Sequence, residues 1–328
     1  MSCRSEDIGA DTIEYVYLFR QIGDTPWNEL FTRIYWAIDY DYELKIEFSY
    51  LVFNKIVSLF SRNEQAITIA NSMVCIMLLY ILVSQKSKYP FLSVWLYVTL
   101  GIFQTQMNMQ RNAIGILISY LAFGFLAEKK PLRFFTTILA SASIHLSSIL
   151  FLPLYWFSRR AISSSKKLLL TTLFFAIFGL LFWKILDLVT PFAPQTINMY
   201  FAARTSSTHF EFLGVLGAHL ILFFATYSLI KRERRRRILI LERIGIWMFL
   251  LDVFFFGIGI HSFFGPRIAG IFGPYLILLL PNMLAEGIQT EKREKAITIV
   301  LLISGAQYVL RLFVNNIGHT MPYQFFFS

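Results

Sequence analysis

Long runs of apolar residues, separated by short polar segments, dominate the chain after residue 65. Many of these runs approach the roughly 20 residues that a helix needs to cross about 30 Å of bilayer hydrocarbon. The predicted membrane-spanning helices are Ala66–Ser84, Phe91–Gln106, Asn112–Ala127, Leu168–Val189, Phe212–Ile230, Ile238–Ile260, Ile268–Leu284 and Ala296–Val314. This pattern predicts an all-α fold, a polytopic membrane helical bundle with about eight spanning helices.

Composition supports a membrane protein rather than a soluble one. The chain has 328 residues, of which 56% are hydrophobic and 15% charged, whereas soluble domains are about 25% charged. The net charge of +10 comes from short clusters between apolar runs, not from one soluble basic face, so we expect no nucleic-acid partner. Cys3 and Cys75 lie far apart, which indicates neither a disulfide framework nor a thiolate metal site and leaves the redox compartment undetermined.

Residues 1–65 differ from the rest of the chain. They hold 11 of the 20 acidic residues but 6 of the 30 basic ones, and they contain no apolar run long enough to span a membrane. We therefore predict an acidic, aromatic-rich segment at the outer face or interface over residues 1–65, followed by a transmembrane domain over 66–328. Between Trp27 and Phe60, aromatic residues alternate with charges, a pattern typical of helices that lie against a membrane surface.

Lysine and arginine clusters between the apolar runs set the orientation, because such residues mark the cytoplasmic side. The clusters are Lys86 and Lys88, Lys129–Arg133, Arg159–Lys167, Lys231–Arg237 and Lys292–Lys295. Two of them flank one apolar run, Phe134–Phe157, so a simple span there would put one cluster outside. Serines surround His145 in this run and Pro153 follows, which favours a re-entrant pair of half-helices that turns back near His145.

The same orientation places residues 1–65, the loop Thr190–Glu211 and the tail Asn315–Ser328 outside. No preceding span would carry the acidic segment across the membrane, so we expect an upstream helix that is missing from this chain. The alternative is a cytoplasmic N-terminal segment with a misassigned first span.

Ionisable residues at membrane depth gather in the outer leaflet under this topology. They are Arg111, Lys184, Asp187, Asp252, Arg267 and Arg311. Because such residues are costly in hydrocarbon, their convergence predicts a polar cavity that opens outward. The alternative for the arginines is snorkelling to the interface, and Lys184 and Asp187 could neutralise each other.

Two further residues have open roles at this point. Asp252 is a candidate partner of Arg267 or Arg311, and His145 is either a functional group at the turn or a core histidine bonded to a nearby serine. We interpret His219 as structural. The spacing of His209 and His261 gives no metal triad, so no metal site is predicted. The chain also lacks the P-loop, HExxH, CxxC and GxSxG motifs, which argues against a nucleotide-driven pump.

Several short motifs, in this order, resemble the EpsG family of bacterial polysaccharide polymerases, relatives of the Wzy-type O-antigen and capsule polymerases. The matching residues are Arg4, Gly9, Asp11 and Tyr15; Glu47 and Tyr50; Met109–Asn112; Ala142, His145, Ser147 and Ser148; Arg267; and Pro322–Tyr323. Members of the family normally begin with a membrane helix before the first motif, which agrees with the upstream helix expected from charge.

The resemblance implies a GT-C-like glycosyltransferase that joins oligosaccharide repeat units carried on undecaprenyl diphosphate at the outer face of the bacterial inner membrane. The implied catalytic residues are His145, Arg111, Arg267, Asp11 and Glu47, and the implied substrate-binding residues are Arg4, Tyr50 and Tyr323. Position adds two further candidates for substrate binding: Asp252, from the outward cavity, and Arg204, in the outer loop Thr190–Glu211, which could cover substrate or simply be solvated. Arginines would stabilise the diphosphate leaving group. His145, Asp11 and Glu47 remain alternatives for the base that receives the acceptor proton.

No cofactor is expected, and the implied partners are the lipid-linked oligosaccharide, the bilayer, and possible regulators of chain length and capsule assembly. Two other functions fit an outward polar cavity. One is a transporter of polysaccharide or lipid-linked glycan, which would usually show repeats and paired broken helices. The other is a membrane-bound glycan acyltransferase, which would need a site reachable from the cytoplasm.

Overall fold

The computed structural model of the protein describes residues 11–36, 43–162, 164–192, 211–230, 238–260 and 264–315. These residues are predominantly helical, which confirms the all-α membrane class. Within them, a short antiparallel ladder pairs β1 (Tyr35–Trp36) with β2 (Glu43–Leu44). Arg4, Arg204, Tyr323, the basic run 231–237, and most of the predicted outer loop and tail lie outside the described residues.

The helices alternate with short breaks along the whole chain. In order they are α1 Thr12–Asp24, α2 Phe48–Phe60, α3 Gln65–Lys86, α4 Pro90–Thr99, α5 Ile102–Asn108, α6 Gln110–Ala127, α7 Pro131–Ala142, α8 Leu154–Phe157, α9 Ser165–Val189, α10 Glu211–Leu229, α11 Ile240–Gly259, α12 Phe264–Phe272, α13 Leu276–Gly287 and α14 Thr290–Asn315. Short 3₁₀ helices cover Leu146–Phe151, Thr190–Phe192 and Gly273–Tyr275.

Contacts divide the chain into two compact units. The first contains Met1–Gln85, Phe103–Tyr155 and Arg311–Ser328, and the second contains Lys86–Ile102 and Trp156–Leu310. The boundary predicted at residue 65 is of another kind, because it separates a segment at the outer face from the transmembrane domain. That boundary stays a prediction.

Six of the predicted spans coincide with single helices, namely α3, α6, α9, α10, α11 and α14. The prediction for Phe91–Gln106 was wrong about continuity. This run breaks between α4 and α5 at Gly101, whose φ of 71° lies in the left-handed region that glycine adopts without strain. The run Ile268–Leu284 lies within one apolar helix, Gly265–Gly287, which tightens to a 3₁₀ segment at Gly273–Tyr275, where Pro274 has no N–H to donate.

Among the described residues, four helices are long and apolar enough to cross a membrane. They are Gln65–Lys86, Ser165–Phe182, Gly265–Gly287 and Glu291–Leu312. The protein is therefore a membrane protein with several apolar helices, and the full number of spans remains a prediction.

The predicted reversal near His145 is confirmed. Helix α7 ends at Ala142, His145 is extended with φ −152° and ψ 118°, and a 3₁₀ helix starts at Leu146. Phe134 and Tyr155, about ten residues on either side of His145, stack with ring centroids 6.5 Å apart. The chain therefore folds back on itself as a helical hairpin, which we call the α7–α8 hairpin.

The N-terminal part of the first unit packs α1 against α2. Its buried core contains Leu18, Ile22, Leu30, Tyr35, Tyr50 and Leu51. The Lys55 ammonium is buried and donates to the carbonyls of Ile22, Gly23 and Thr25 at 3.3, 3.0 and 2.6 Å. It thus caps the carbonyls at the end of α1, of which that of Ile22 also accepts the Thr25 N–H at 3.2 Å.

The prediction of surface helices throughout Trp27–Phe60 was only partly right. The stretch from Trp27 to Ile34 forms tight turns, Tyr35–Trp36 is a strand, and the helix α2 begins only at Phe48. Close hydrogen bonds within the turns, such as Arg33 N–H to the Glu29 carbonyl at 2.9 Å, replace a continuous helical ladder.

In the second unit, α11 packs against α9, α12 and α13. Pro281 lies inside α13 and cannot donate to the carbonyl of Ile277, four residues earlier. The hydroxyl of Ser93 on α4 donates to that carbonyl at 2.6 Å. A side chain from another helix therefore supplies the hydrogen bond that proline removes.

Candidate active site

Glu47 contacts both His145 and Arg111, the two ionisable residues that stand out among the apolar runs of the sequence. Its Oε1 atom lies 3.0 Å from His145 Nδ1 and accepts the backbone N–H of Leu146 at 2.8 Å. Its Oε2 atom lies 2.9 Å from Arg111 Nη1. All three side chains belong to the first unit and are largely buried, with 18 to 24% of each exposed.

Local structure explains why these three residues meet. Glu47 immediately precedes α2, Arg111 is the second residue of α6, and His145 is at the turn of the α7–α8 hairpin. The start of a helix has backbone N–H groups without intrahelical partners. Glu47 accepts one of them, that of Leu146, so the same carboxylate orients His145 and caps the 3₁₀ helix that follows it.

The turn is also tied to α2. Ser49 donates its backbone N–H to the carbonyl of Ser143 at 2.9 Å, and the hydroxyls of the two serines hydrogen bond at 2.7 Å. Because Ser49 is two residues after Glu47, this link fixes the Glu47 carboxylate beside His145.

Close packing holds the α7–α8 hairpin against α6. The Ser141 hydroxyl donates to the Gly115 carbonyl at 2.6 Å and lies 2.8 Å from the Ser148 hydroxyl. A Cβ atom at position 115 would come within 2.9 Å of Ser148 Oγ, so glycine permits this approach. Arg111 lies one helical turn before Gly115, and the packing thereby sets the distance between Arg111 and the turn that carries His145.

A second layer of aromatic and amide groups surrounds Arg111. Its guanidinium carbon lies 5.7 Å from the centre of the Tyr50 ring, within the range of a cation–π contact. Its backbone N–H donates to the Tyr15 hydroxyl at 3.4 Å. Asn71 donates to the Tyr50 hydroxyl and to Gln110 Oε1 at 3.0 and 2.7 Å.

Sequence reasoning assigned no role to Asn71 and gave Gln110 and Tyr15 only as parts of motifs. The available signal for Asn71 was an amide inside the apolar run of α3, where polar groups need a partner. The structure shows that its partners are Tyr50 and Gln110, so these residues support the arginine.

Arg111 retains hydrogen-bonding capacity. Its Nη1 is close enough to Glu47 for an ion pair but is poorly aligned for a hydrogen bond. Neither Nη1 nor Nε has a hydrogen-bond acceptor in the described part of the chain. A buried guanidinium with unused donors suits a bound anion with several oxygens, such as a phosphate.

The geometry assigns different chemical roles to Glu47 and His145. Burial alone would raise the pKa of Glu47, but the hydrogen bond from His145, the charge of Arg111 and the N–H of Leu146 outweigh burial and bring the pKa below its usual value. A carboxylate so strongly engaged is a weak base. An ionised carboxylate only accepts hydrogen bonds, so the proton shared with it is on His145 Nδ1, and Nε2 is left as the basic nitrogen.

Replacement of Glu47 by glutamine should therefore lower stability in a pH-dependent way. Because the folded-state pKa of Glu47 is lowered, its carboxylate stabilises the fold at pH values above its ordinary pKa of 4.5, and this contribution is lost as the pH falls below that value. We expect Glu47→Gln to reduce the midpoint of thermal unfolding in detergent at pH 7, with a difference from wild type that shrinks as the pH approaches 4.

Glu29→Gln is the matched control, since Glu29 is an exposed carboxylate of the same unit. It should leave the midpoint nearly unchanged throughout the pH range. An equal loss for both variants at pH 7, or a Glu47→Gln deficit that is constant with pH, would contradict the assignment.

The remaining predicted site residues do not all join this cluster. Tyr50 does, and Asp11 is beside it: the Asp11 carbonyl accepts the N–H of Tyr15 at 3.3 Å, and the Asp11 charge acts on the Tyr15 hydroxyl. Arg267 is exposed on α12 of the second unit. Arg4, Arg204 and Tyr323 lie outside the described residues.

Asp252 has a different partner from the predicted arginines. On α11 of the second unit it is fully buried, and its Oδ2 atom lies 2.7 Å from Nδ1 of His219 on α10. His219 was interpreted as structural, and a buried pair that joins two helices agrees with that role. Hydropathy could not reveal this pairing, because both residues lie in separate apolar runs.

Within the described residues, no group of three or more histidine, cysteine, aspartate or glutamate side chains could hold a metal ion. The donor set of the cluster is one carboxylate, one imidazole and one guanidinium, and the guanidinium would repel a cation. The cluster is therefore suited to an anion and a proton rather than to a metal.

These features define a helical membrane protein with an acid–base group and a cation held together inside one helical unit. The sequence model of the EpsG family matches residues 1–325, essentially the entire chain, and the chain belongs to that family. The family indicates a polysaccharide polymerase-like membrane protein with glycosyltransferase-type activity. No curated protein and no solved structure shows significant similarity to the chain.

Proposed function

We propose that the protein joins oligosaccharide repeat units, carried on undecaprenyl diphosphate, into capsule, O-antigen or exopolysaccharide at the outer face of the bacterial inner membrane. The observation that supports this most directly is the Glu47 carboxylate between His145 and Arg111. It places a group able to accept a proton beside a group able to bind a diphosphate, and the reaction needs both.

The proposed step is one glycosyl transfer. A hydroxyl of the acceptor repeat unit gives its proton to His145 Nε2 while its oxygen bonds to the anomeric carbon of the donor chain. The bond between that carbon and the diphosphate oxygen breaks, and the electron pair leaves with the lipid diphosphate. Arg111 stabilises the negative charge that develops on the leaving group, and Glu47 stabilises the imidazolium.

Asp11 and Glu47 were the alternative bases, and the contacts favour His145 over both. The Glu47 carboxylate already accepts hydrogen bonds from His145 and the Leu146 N–H and pairs with the charge of Arg111. The Asp11 carbonyl accepts the N–H of Tyr15 at 3.3 Å, whereas His145 shares Glu47 with Arg111, the residue proposed to bind the diphosphate. Arg267 and Arg4 stay candidates for additional contacts with the lipid-linked substrate on the strength of the family motifs, and Arg204 stays one because of its place in the predicted outer loop Thr190–Glu211.

The decisive experiment supplies the lipid-linked donor alone. Purified protein in liposomes, given oligosaccharide on polyprenyl diphosphate and no nucleotide sugar, should produce a ladder of longer lipid-linked glycans. The same oligosaccharide on polyprenyl monophosphate is the control, and it should react much more slowly because it releases a poorer leaving group. A ladder that forms only after a nucleotide sugar is added would overturn the proposal, and movement of glycan across the bilayer without joining would indicate a transporter.

A further inference from the structure

A group of aromatic side chains is exposed on the N-terminal part of the first unit. The exposed fractions are 48% for Trp27, 51% for Phe31, 46% for Trp36 and 60% for Phe48. We call these four residues the aromatic platform. Large aromatic residues are costly to leave in water, and an exposed apolar patch with polar groups around it typically marks a binding surface.

The segment that carries the platform is well fixed. Leu30 and Tyr35 point inward and belong to the buried core, and the Tyr35 hydroxyl donates to the Leu30 carbonyl at 2.9 Å. Gln21 on α1 bonds both backbone groups of Trp36, donating to its carbonyl at 2.9 Å and accepting its N–H at 3.2 Å. The aromatic rings therefore project from an ordered scaffold.

The spacing of the rings follows from the turns beneath them. The Leu30 N–H donates to the Trp27 carbonyl, and the Arg33 N–H donates to the Glu29 carbonyl, as in one turn of a helix. Residues four apart on such turns lie on the same side. Trp27 and Phe31 consequently face outward together while Leu30 faces the core.

One edge of the platform, formed by Phe31 and Phe48, adjoins the candidate active site along the chain. The rings of Phe31 and Phe48 stack with centroids 4.7 Å apart and planes at 23°. Phe48 directly follows Glu47, whose carboxylate binds His145 and Arg111. A ligand on the platform would therefore extend from the residue next to the reacting groups.

The surroundings of the platform favour a saccharide over lipid as its occupant. Asn28, Glu29, Thr32 and Arg33 are exposed between the aromatic residues and offer hydrogen-bond donors and acceptors. Sugars need both kinds of contact, because they present C–H faces that stack on rings and hydroxyls that hydrogen bond. Lipid chains use only apolar contacts, and the exposed residues Ile56, Leu59 and Phe60 of α2 form an apolar face of that kind.

We propose that the aromatic platform binds the saccharide part of the lipid-linked substrate and holds the chain beside Glu47 between successive additions. This inference rests on the proposed function. It adds a glycan-binding surface outside the acid–base cluster, and it predicts that the platform governs the length of the product more than the joining reaction itself.

The test compares Trp27→Ala, Trp36→Ala and the double variant with Trp156→Ala, which removes an equally exposed tryptophan from the second unit. In the liposome assay we expect the double variant to join the first two repeat units at a rate close to wild type but to release much shorter chains. Loss of each ring should weaken retention about two- to tenfold. Trp27→Phe should restore most of the length, because it keeps an aromatic face.

A binding measurement separates this inference from the proposed function. Oligosaccharides cut from the surface polysaccharide of cells that carry the protein are titrated against the protein in nanodiscs, and saturation-transfer NMR reports contact. Binding that weakens in the double variant but not in Trp156→Ala supports the platform, even if no polymerisation is seen. Unchanged binding and chain length in the double variant would overturn it while leaving the polymerase proposal intact. Quenching of Trp27 and Trp36 by brominated lipid, without an effect of oligosaccharide, would instead assign the surface to the membrane.

Discussion

Replacement of His145 by alanine is expected to reduce the rate of joining by about 10²- to 10⁴-fold, the usual contribution of a positioned general base. The acceptor hydroxyl would then lose the group that receives its proton. The measurement is the initial rate of formation of the first joined product in proteoliposomes.

Two further variants distinguish chemistry from folding. His145→Asn keeps a donor that can reach Glu47 but provides no base, so it should preserve thermal stability better than alanine and remain nearly inactive. Ser143→Ala weakens the same turn by removing the hydroxyl that bonds Ser49, and it should retain most of the activity. Near-wild-type joining by His145→Asn would exclude His145 as the base.

Arg111 should contribute nearly as much to the reaction rate as His145, because it stabilises the negative charge that develops on the leaving group. Arg111→Ala is expected to lower kcat/KM by about 10²- to 10³-fold, the scale seen when one preorganised donor to a developing charge is removed. Arg111→Lys keeps the positive charge but lacks the planar arrangement of several donors, so its rate should be intermediate. The same variants should bind polyprenyl diphosphate less tightly, which inhibition of the reaction by this product can measure.

Arg62→Ala is the matched control for the arginine experiment. Arg62 forms an exposed ion pair with Asp24 in the same unit at 3.3 Å, and such pairs contribute about 0 to 1 kcal/mol. It should change neither rate nor product inhibition. If Arg111→Lys lost stability but inhibition by polyprenyl diphosphate stayed at the wild-type level, Arg111 would be a structural partner of Glu47 and not a ligand of the substrate.

Much of the candidate site was predictable, because each member was conspicuous in its own stretch of sequence. Arg111 and His145 stand out as ionisable residues among apolar runs, where they are costly. Glu47 and Tyr50 were found through the family resemblance. The reversal at His145 followed from two basic clusters that flank one apolar run, and the structure confirms the hairpin.

The helix breaks and the supporting contacts were much less predictable. Gly101 interrupts a run whose hydropathy continues without change, so a pattern based on apolar length treats that run as one helix. The 3₁₀ segment at Pro274 is invisible to hydropathy for the same reason. Asn71 reaches Tyr50 and Gln110 through contacts between separate helices. Asp252 pairs with His219 for the same reason, although charge considerations pointed to an arginine.

The sequence by itself determined the class of protein, its helical hairpin and two of the three central polar residues, Arg111 and His145, because hydrophobicity, loop charge and the cost of buried ionisable groups are properties of local segments. The third, Glu47, came from the family resemblance. Only the tertiary structure decided their roles. Glu47 and His145 are 98 residues apart in the chain, and nothing local indicates that the carboxylate accepts from the imidazole. That contact is the basis for the proposal that Glu47 orients His145 and that His145 is the base, since the protonation of a side chain depends on the groups that surround it in space.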